Sequence, residues 1–137
     1  MAMAVWRAKV GPSNPDWRIE SAGTWAMDGQ QAINRAQVVL REIGLDVREH
    51  YSRTVTSEML HSFNLILTME RGHKEALRTE FPEIAPRVFL LSEMINAMYD
   101  IQDPVGGSLA DFRETLDEIE NILTRGSERI TRLAEGN

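Results

Sequence analysis

The chain has 137 residues, of which 42% are apolar and 26% charged, with a net charge of −6 and no cysteine. This length fits one domain with a buried core, so we expect residues 1–137 to form a single domain. The negative charge argues against nucleic acid or an anionic membrane as the main partner. The absence of cysteine excludes disulfides, thiolate nucleophiles and thiolate metal sites within these residues.

Targeting and metal-binding signals are weak. No apolar run approaches the roughly 20 residues that a membrane-spanning helix needs. Arg7 and Lys9 interrupt the first ten residues, which therefore do not resemble the apolar region of a secretory signal. We expect a cytoplasmic protein. The three histidines lack metal-ligand spacing, and the sequence predicts neither a metal site nor a cofactor.

The first part of the chain predicts two helices and a strand. Residues 1–10 are good helix formers, and residues 11–15 form a loop rich in glycine and proline. Residues 17–23 alternate between apolar and charged side chains, which predicts a short strand. An apolar stripe at helical spacing follows over residues 30–43, and Gly44 is placed to end that helix.

The middle of the chain predicts strands that alternate with helices. Thr56 is a candidate N-cap of a short helix through His61. Residues 65–67 form an unbroken apolar run, typical of a strand buried on both faces. Residues 71–79 have helical character, and residues 88–91 are another strand candidate. This alternation indicates parallel βαβ units and an α/β domain, in which a layered parallel sheet carries helices on both faces.

A shaped loop precedes the last long helix. Ser108, followed three residues later by Asp111, predicts an N-cap, and apolar residues then recur at helical spacing as far as Leu123. Pro104 biases Asp103 away from helical backbone angles, and the two glycines that follow permit a tight turn. An ordinary Asp-Pro turn before a capped helix explains the same residues.

The string Asp-Pro-Val-Gly-Gly-Ser-Leu-Ala-Asp-Phe-Arg at residues 103–113 resembles a segment of the low-molecular-weight protein tyrosine phosphatases. The likeness is to their short bacterial members and to the related protein arginine phosphatases. Residues 1–6, 19–24, 39–46 and 65–70 resemble further segments of that family in the same order. The resemblance implies the family's α/β fold and, as partner, a phosphorylated protein or a small phosphomonoester.

The resemblance also implies roles for individual residues. In the family, the aspartate of the Asp-Pro pair protonates the leaving group, and this role maps onto Asp103. The residue after that pair is often tyrosine and lines the substrate cleft, a position that Val105 occupies here. Trp25 either flanks a substrate ring or is a buried packing residue. Phosphotyrosine and phosphoarginine both stay open as targets.

The family's first strand and its Cys-x-x-x-x-x-Arg-Ser loop are not among these residues. That loop supplies the attacking thiolate and the phosphate cradle. Substitute nucleophiles would be His50, His61, His73 or Asp103, but each histidine is more simply a loop or helix residue. A phosphoaspartate route would need further acidic and metal-binding partners, which the sequence does not offer.

We therefore expect the chain as given to be inactive as a phosphatase. Two explanations stay open: a phosphatase that was truncated or given too late a coding start, and a natural pseudo-phosphatase that acts as a binding or assembly module. The arsenate reductase branch of the same fold is less favoured, because the chain has no redox cysteines.

A missing strand has a structural consequence. In the family it lies inside a four-stranded sheet, between the segments that are residues 17–21 and 65–68 here. Neighbouring strands are about 4.8 Å apart, so its loss leaves a gap of roughly 10 Å. We expect the chain either to shift residues 17–21 inward or to form a homodimer by exchanging a strand or another element with a second copy.

Overall fold

The structure is a computed structural model. It describes four stretches of the chain, which are residues 1–11, 14–23, 34–47 and 51–136. None of the helices in these stretches combines the length and the apolar character that crossing a bilayer requires.

The chain divides into two compact units, each built from two segments. Unit 1 comprises Met1–Thr54 and Pro104–Leu123, and unit 2 comprises Val55–Asp103 and Thr124–Asn137. The boundary between them follows Asp103, so the Asp-Pro pair contributes one residue to each unit. Each unit is described by itself below.

Unit 1 contains helices α1 (Ala2–Val10) and α2 (Asn34–Glu42) and most of α5 (Leu109–Arg125). Each helix buries apolar residues, so its amphipathic pattern is used in packing. The buried residues are Val5, Trp6, Val39, Leu40, Phe112, Leu116, Ile119, Ile122 and Leu123. Trp6 also contacts Trp17 edge to face, with 5.5 Å between the ring centroids.

The end of α2 confirms the prediction for Gly44. This glycine has a φ of 83°, in the left-handed region. Its N–H donates to the carbonyl of Arg41 at 3.0 Å, and the N–H of Leu45 donates to the carbonyl of Leu40 at 2.9 Å. These two bonds form a Schellman motif, which satisfies carbonyls that the helix end would otherwise leave unpaired.

The prediction of a strand over residues 17–23 is wrong. The described segment has no strand ladder, and only Gly23 forms an isolated parallel bridge, with Thr54. The bridge includes a bond of 2.9 Å from the N–H of Gly23 to the carbonyl of Arg53. The predicted inward shift of this segment to close a sheet is therefore not observed.

In the described part of the chain no other strand pairs with this segment, and arginine side chains bind its carbonyls instead. Carbonyls two residues apart in an extended chain point to the same side. Arg7 Nε donates to the carbonyl of Ile19 at 3.1 Å, and Arg53 Nε donates to the carbonyl of Ser21 at 3.3 Å. Guanidinium groups thus occupy acceptors that a neighbouring strand would otherwise use.

Unit 2 is built on a strand–helix–strand unit. Strand β1 (Ile66–Thr68), helix α4 (Arg71–Glu80) and strand β2 (Val88–Leu90) follow one another. The strands pair in parallel, with Ile66 opposite Val88. This arrangement confirms the predicted parallel βαβ unit and both predicted strands in this part of the chain.

The core of unit 2 lies beside this sheet. A short helix, α3 (Ser57–His61), is capped by Thr56, whose hydroxyl accepts the N–H of Met59 at 3.1 Å, as predicted. Leu60 then packs with residues from α4, β2 and a 3-10 helix (Pro82–Arg87). This cluster consists of Leu60, Leu77, Ile84 and Val88, with Val55, Ile66 and Phe81 packed against it.

Strand β1 has fewer neighbours than the sequence predicts. In the described part of the chain it pairs with β2 alone. Leu65, Ile66 and Leu67 are consequently half-buried, whereas the sequence predicted burial on both faces. A parallel strand is fully covered only when further strands and helices enclose it.

The remaining elements of unit 2 contact each other, and Arg129 Nη1 donates to Asn96 Oδ1 at 2.8 Å. A 3-10 helix (Leu91–Ile95) follows β2, and helix α6 (Ser127–Ala134) follows the break at Gly126. Ile130 is 2% exposed, so helix α6 contributes to a core.

We propose that the two units unfold as one domain, because α5 runs without a break from one into the other. All three tryptophans lie in the first segment of unit 1, so tryptophan fluorescence reports unit 1, whereas far-UV circular dichroism reports helices in both. Urea titrations followed by the two signals should coincide, as expected for a two-state transition. Separate midpoints would contradict a single domain.

Candidate functional site

Asp103 is an exposed residue on the segment that leads from unit 2 to α5. Two positions earlier, Ile101 is buried, and its N–H donates to the carbonyl of Met69 at 2.9 Å. Met69 directly follows β1, so this bond fixes the segment at the carboxyl end of a parallel strand. In open α/β sheets, ligand sites form at those ends.

Asp100 fixes the same segment to helix α4. Its Oδ1 accepts the backbone N–H of Arg71 at 2.8 Å and the Nε of the same residue at 3.1 Å. The N–H of Arg71 is one of the donors that the first turn of α4 cannot satisfy internally. The backbone N–H of Arg71, aided by its guanidinium, holds the pKa of the Asp100 carboxyl below its usual range.

Ser92 provides the third anchor. It is 1% exposed, and its hydroxyl accepts the N–H of Tyr99 at 3.1 Å and donates to the carbonyl of Tyr99 at 2.9 Å. Hydrogen bonds therefore hold three successive residues, Tyr99, Asp100 and Ile101, shortly before Asp103.

The residues after Asp103 form a tight turn in unit 1. The N–H of Gly107 donates to the carbonyl of Pro104 at 2.8 Å, and Gly106 has a φ of 88°. A positive φ at the third position is typical of a type II turn and favours glycine. Val105 occupies the second position, and 58% of it is exposed.

A reciprocal cap joins this turn to α5, as predicted. The N–H of Ser108 donates to Asp111 Oδ2 at 2.9 Å, and the N–H of Asp111 donates to Ser108 Oγ at 3.2 Å. Two N–H groups that the helix cannot satisfy are thereby paired. The start of α5 is fixed immediately after the turn.

Of the two predicted substrate-flanking residues, Val105 lies in the described part of the chain. Val105 lies two positions after Asp103, at the tip of the turn. Trp25 lies outside the described residues. The sequence did not identify Ser92 or Asp100 as parts of the site, because their hydrogen-bond partners lie 7 and 29 positions away in the chain.

Of the histidines in the described part of the chain, His61 is held by contacts within unit 2. His61 Nδ1 lies 2.7 Å from the carbonyl oxygen of Ser57, and its Nε2 lies 3.2 Å from Glu83 Oε1. Both ring nitrogens are therefore engaged in structural contacts. His73 is exposed on α4, and His50 lies outside the described residues.

The Gly107→Ala substitution should destabilise the turn before α5. A Cβ at this position would lie 2.5 Å from Asp111 Oδ2 and 3.0 Å from the carbonyl oxygen of Pro104. Relieving that overlap disturbs the Ser108–Asp111 cap, so we expect a loss of about 1 to 3 kcal/mol in the free energy of unfolding, measured by urea denaturation.

Gly72→Ala is the matched control. Gly72 lies in the first turn of α4, and a Cβ there would meet no atom within 4 Å. Alanine is the better helix former, so this variant should gain up to about 1 kcal/mol. Equal effects of the two substitutions would contradict the steric role of Gly107.

The anchor at Asp100 should make stability depend on pH. The pKa of Asp100 is lower in the folded chain than its usual value, so the ion contributes stability above the unfolded-state pKa. That contribution is lost as the pH falls through the folded-state pKa. The Tm of wild type should exceed that of Asp100→Asn at neutral pH, and the difference should vanish in acid.

Asp117→Asn serves as a control for this measurement, because it removes the same charge from an exposed position of α5. Its Tm difference from wild type should be smaller than that of Asp100→Asn at neutral pH. A Tm difference for Asp100→Asn that stays constant down to acidic pH would show that the anchor does not depend on the charge.

The chain is similar to known phosphatases over most of its length. The family described as "Low molecular weight phosphotyrosine protein phosphatase" matches residues 1–134. A protein-arginine-phosphatase of Geobacillus stearothermophilus is 32% identical over 117 residues, which cover 85% of this chain and 78% of that protein. The low molecular weight protein-tyrosine-phosphatase Wzb of Escherichia coli K12 is also 32% identical, over 83% of this chain and 74% of its own length.

A solved structure shows the same fold. The low molecular weight protein tyrosine phosphatase from T. tengcongensis superposes with a TM-score of 0.87 at 30% identity, over 93% of this chain and 88% of that chain. The predicted α/β fold is thus confirmed. The chain belongs to the low-molecular-weight phosphotyrosine protein phosphatase family.

Proposed function

We propose that Asp103 is the general acid of a phosphomonoesterase site and that Val105 and Trp25 flank its substrate. The observation that carries this proposal is the anchoring of residues 99–101 just before an exposed carboxylate. A general acid must be held within reach of the leaving group, and an anchored backbone supplies that constraint.

We further propose that these 137 residues by themselves hydrolyse no phosphomonoester at a useful rate. None of them is cysteine, the residue that carries the phosphoryl group in the family that the sequence resembles. General acid catalysis contributes about 10²- to 10⁴-fold, and this factor multiplies an attack that lacks its nucleophile.

The purified chain should therefore turn over p-nitrophenyl phosphate no faster than its Asp103→Asn variant. Absorbance of released nitrophenolate measures both rates, and thermal unfolding of both proteins verifies that they are folded. Robust turnover by the chain, abolished in the variant, would contradict the inactivity and reveal another nucleophile.

The codons in frame upstream of Met1 distinguish the two explanations for this inactivity. If they encode a Cys-x-x-x-x-x-Arg-Ser loop, the protein that includes those codons, called the extended protein here, should be active. Asp103→Asn should then lower the kcat of the extended protein by about 10²- to 10⁴-fold. Asp117→Asn in the extended protein is the matched control and should leave kcat unchanged. A stop codon there would favour the pseudo-phosphatase.

The partner that we propose for the active form is a phosphorylated protein, and a small phosphomonoester is the simpler alternative. Relatives named for arginine and for tyrosine phosphatase activity are both 32% identical to this chain. Identity therefore favours neither target. A direct comparison of phosphotyrosine and phosphoarginine hydrolysis by the extended protein would decide between them.

The second candidate function is a non-catalytic assembly module. The observation that favours this function is that β1 pairs with only one strand, β2, in the described part of the chain. Unpaired strand edges promote association between copies. A homodimer formed by exchange of elements, and a cytoplasmic location, remain predictions from the sequence.

A further inference from the structure

A carboxylate with little exposure lies at the carboxyl end of strand β2. Glu93 is the third residue of the 3-10 helix Leu91–Ile95, which follows that strand directly. Glu93 Oε1 accepts the backbone N–H of Leu90 at 2.9 Å and the ammonium of Lys74 at 2.5 Å. The first bond is one half of a capping box. The second bond joins the 3-10 helix to α4.

Both charges of this ion pair are largely removed from water. The side chain of Lys74 is 11% exposed and that of Glu93 is 16% exposed. Burial raises the pKa of the Glu93 carboxyl, but the Leu90 N–H and the charges of Lys74 and Arg129 outweigh it and hold that pKa below its usual range. Removing one member of such a pair leaves a charge without its partner, which is strongly unfavourable. The pair therefore opposes separation of the 3-10 helix from α4.

Helix α6 holds the other end of the same 3-10 helix. Arg129 Nη1 donates to Asn96 Oδ1, and Asn96 directly follows the 3-10 helix with a φ of 60°, in the left-handed region. Asparagine adopts this conformation more readily than most residues. Arg129 Nε is buried and has no hydrogen-bond partner in the described part of the chain. The bond to Asn96 and the attraction to Glu93 must offset that cost.

The 3-10 helix also fixes the segment that leads to Asp103. The N–H of Ala97 donates to the carbonyl of Ser92 at 3.1 Å, and the hydroxyl of Ser92 bonds both backbone groups of Tyr99. Ser92 belongs to the 3-10 helix and is 1% exposed, so its position follows that of the helix. Asp103 lies four residues after Tyr99 on the same segment.

We propose that Glu93 is a positioning residue for Asp103. Its ion pair with Lys74 holds the 3-10 helix Leu91–Ile95, and Ser92 in that helix holds the segment before Asp103. Glu93 acts through these contacts and touches no substrate. The inference rests on the proposed role of Asp103 as general acid for its bearing on catalysis. The contacts themselves lie within unit 2 and can be tested without phosphate.

Three substitutions in the chain test the role of the ion pair. Glu93→Gln removes the charge but keeps an oxygen that can accept the N–H of Leu90. Lys74→Met removes the ammonium and keeps most of the apolar stem. Glu75→Gln makes the same change as Glu93→Gln at an exposed position of α4 and is the matched control.

Amide hydrogen exchange, followed by NMR, measures how firmly the segment is held. Glu93→Gln and Lys74→Met should each raise the exchange rates of the Tyr99 and Ile101 amides about tenfold, because local opening of the segment becomes easier. The order parameter of the Asp103 N–H, from ¹⁵N relaxation, should fall in the same variants. Glu75→Gln should leave these quantities at their wild-type values.

Two comparisons separate positioning from general stability. Exchange at buried residues of α5, such as Leu116, should change much less than exchange at Tyr99, since only a local opening is favoured. The double variant Lys74→Met/Glu93→Gln leaves neither charge of the pair unmatched. Its increase in Tyr99 exchange should therefore be smaller than the product of the two single increases.

Three outcomes would overturn the proposal. Tyr99 exchange in Glu93→Gln that matches Glu75→Gln would show that the buried apolar residues of the 3-10 helix hold it without the ion pair. Equal acceleration at Tyr99 and Leu116 would indicate a general loss of stability. Single effects that multiply in the double variant would show that the two charges do not act as a pair.

Failure of this proposal is distinguishable from failure of the proposed function. The exchange and relaxation measurements use the chain as it is and involve no phosphate. An extended protein whose kcat is unaffected by Asp103→Asn would remove the acid role of Asp103 and leave the link from Glu93 to its segment standing. Unchanged Tyr99 exchange in Glu93→Gln would remove the link and leave the acid role to be judged by kcat.

Discussion

The junction between β1 and α4 is the constraint on which the candidate site depends. Strand β1 ends at Thr68 and helix α4 begins at Arg71. The carbonyl of Met69 and the N–H of Arg71 therefore need hydrogen-bond partners from elsewhere in the chain. Ile101 and Asp100 supply them. The segment before Asp103 is therefore part of the scaffold of unit 2, and its position follows from the hydrogen-bond requirements of the fold.

Structure that depends on residues close together in the chain could be predicted from the sequence. The caps at Thr56 and Ser108 and the helix end at Gly44 involve partners at most five positions away, so residue type and spacing identify them. The strand over residues 17–23 was predicted on the same kind of pattern and is wrong. A strand needs a partner strand, and alternation of side chains does not reveal whether a partner is present.

The turn beside the candidate general acid was predictable from the sequence, and the contacts that anchor it were less so. The Asp-Pro-Val-Gly-Gly-Ser string predicted the turn and the helix cap that follow Asp103, since the residue types of a turn and a helix cap are local. Its anchors are not local. Lys74 shows the same limit: a lysine is expected to be exposed, yet this one is 9% exposed because it pairs with Glu93, which lies 19 positions away.

The geometry of the Pro104–Gly107 turn has a consequence for which residues position 105 can accept. The hydrogen bond that closes the turn and the positive φ at Gly106 are backbone features that place no demand on the size of residue 105. Its side chain extends into solvent, so a larger or aromatic residue fits there without repacking a core. Selection can therefore alter the chemistry presented beside Asp103 at little cost in folding.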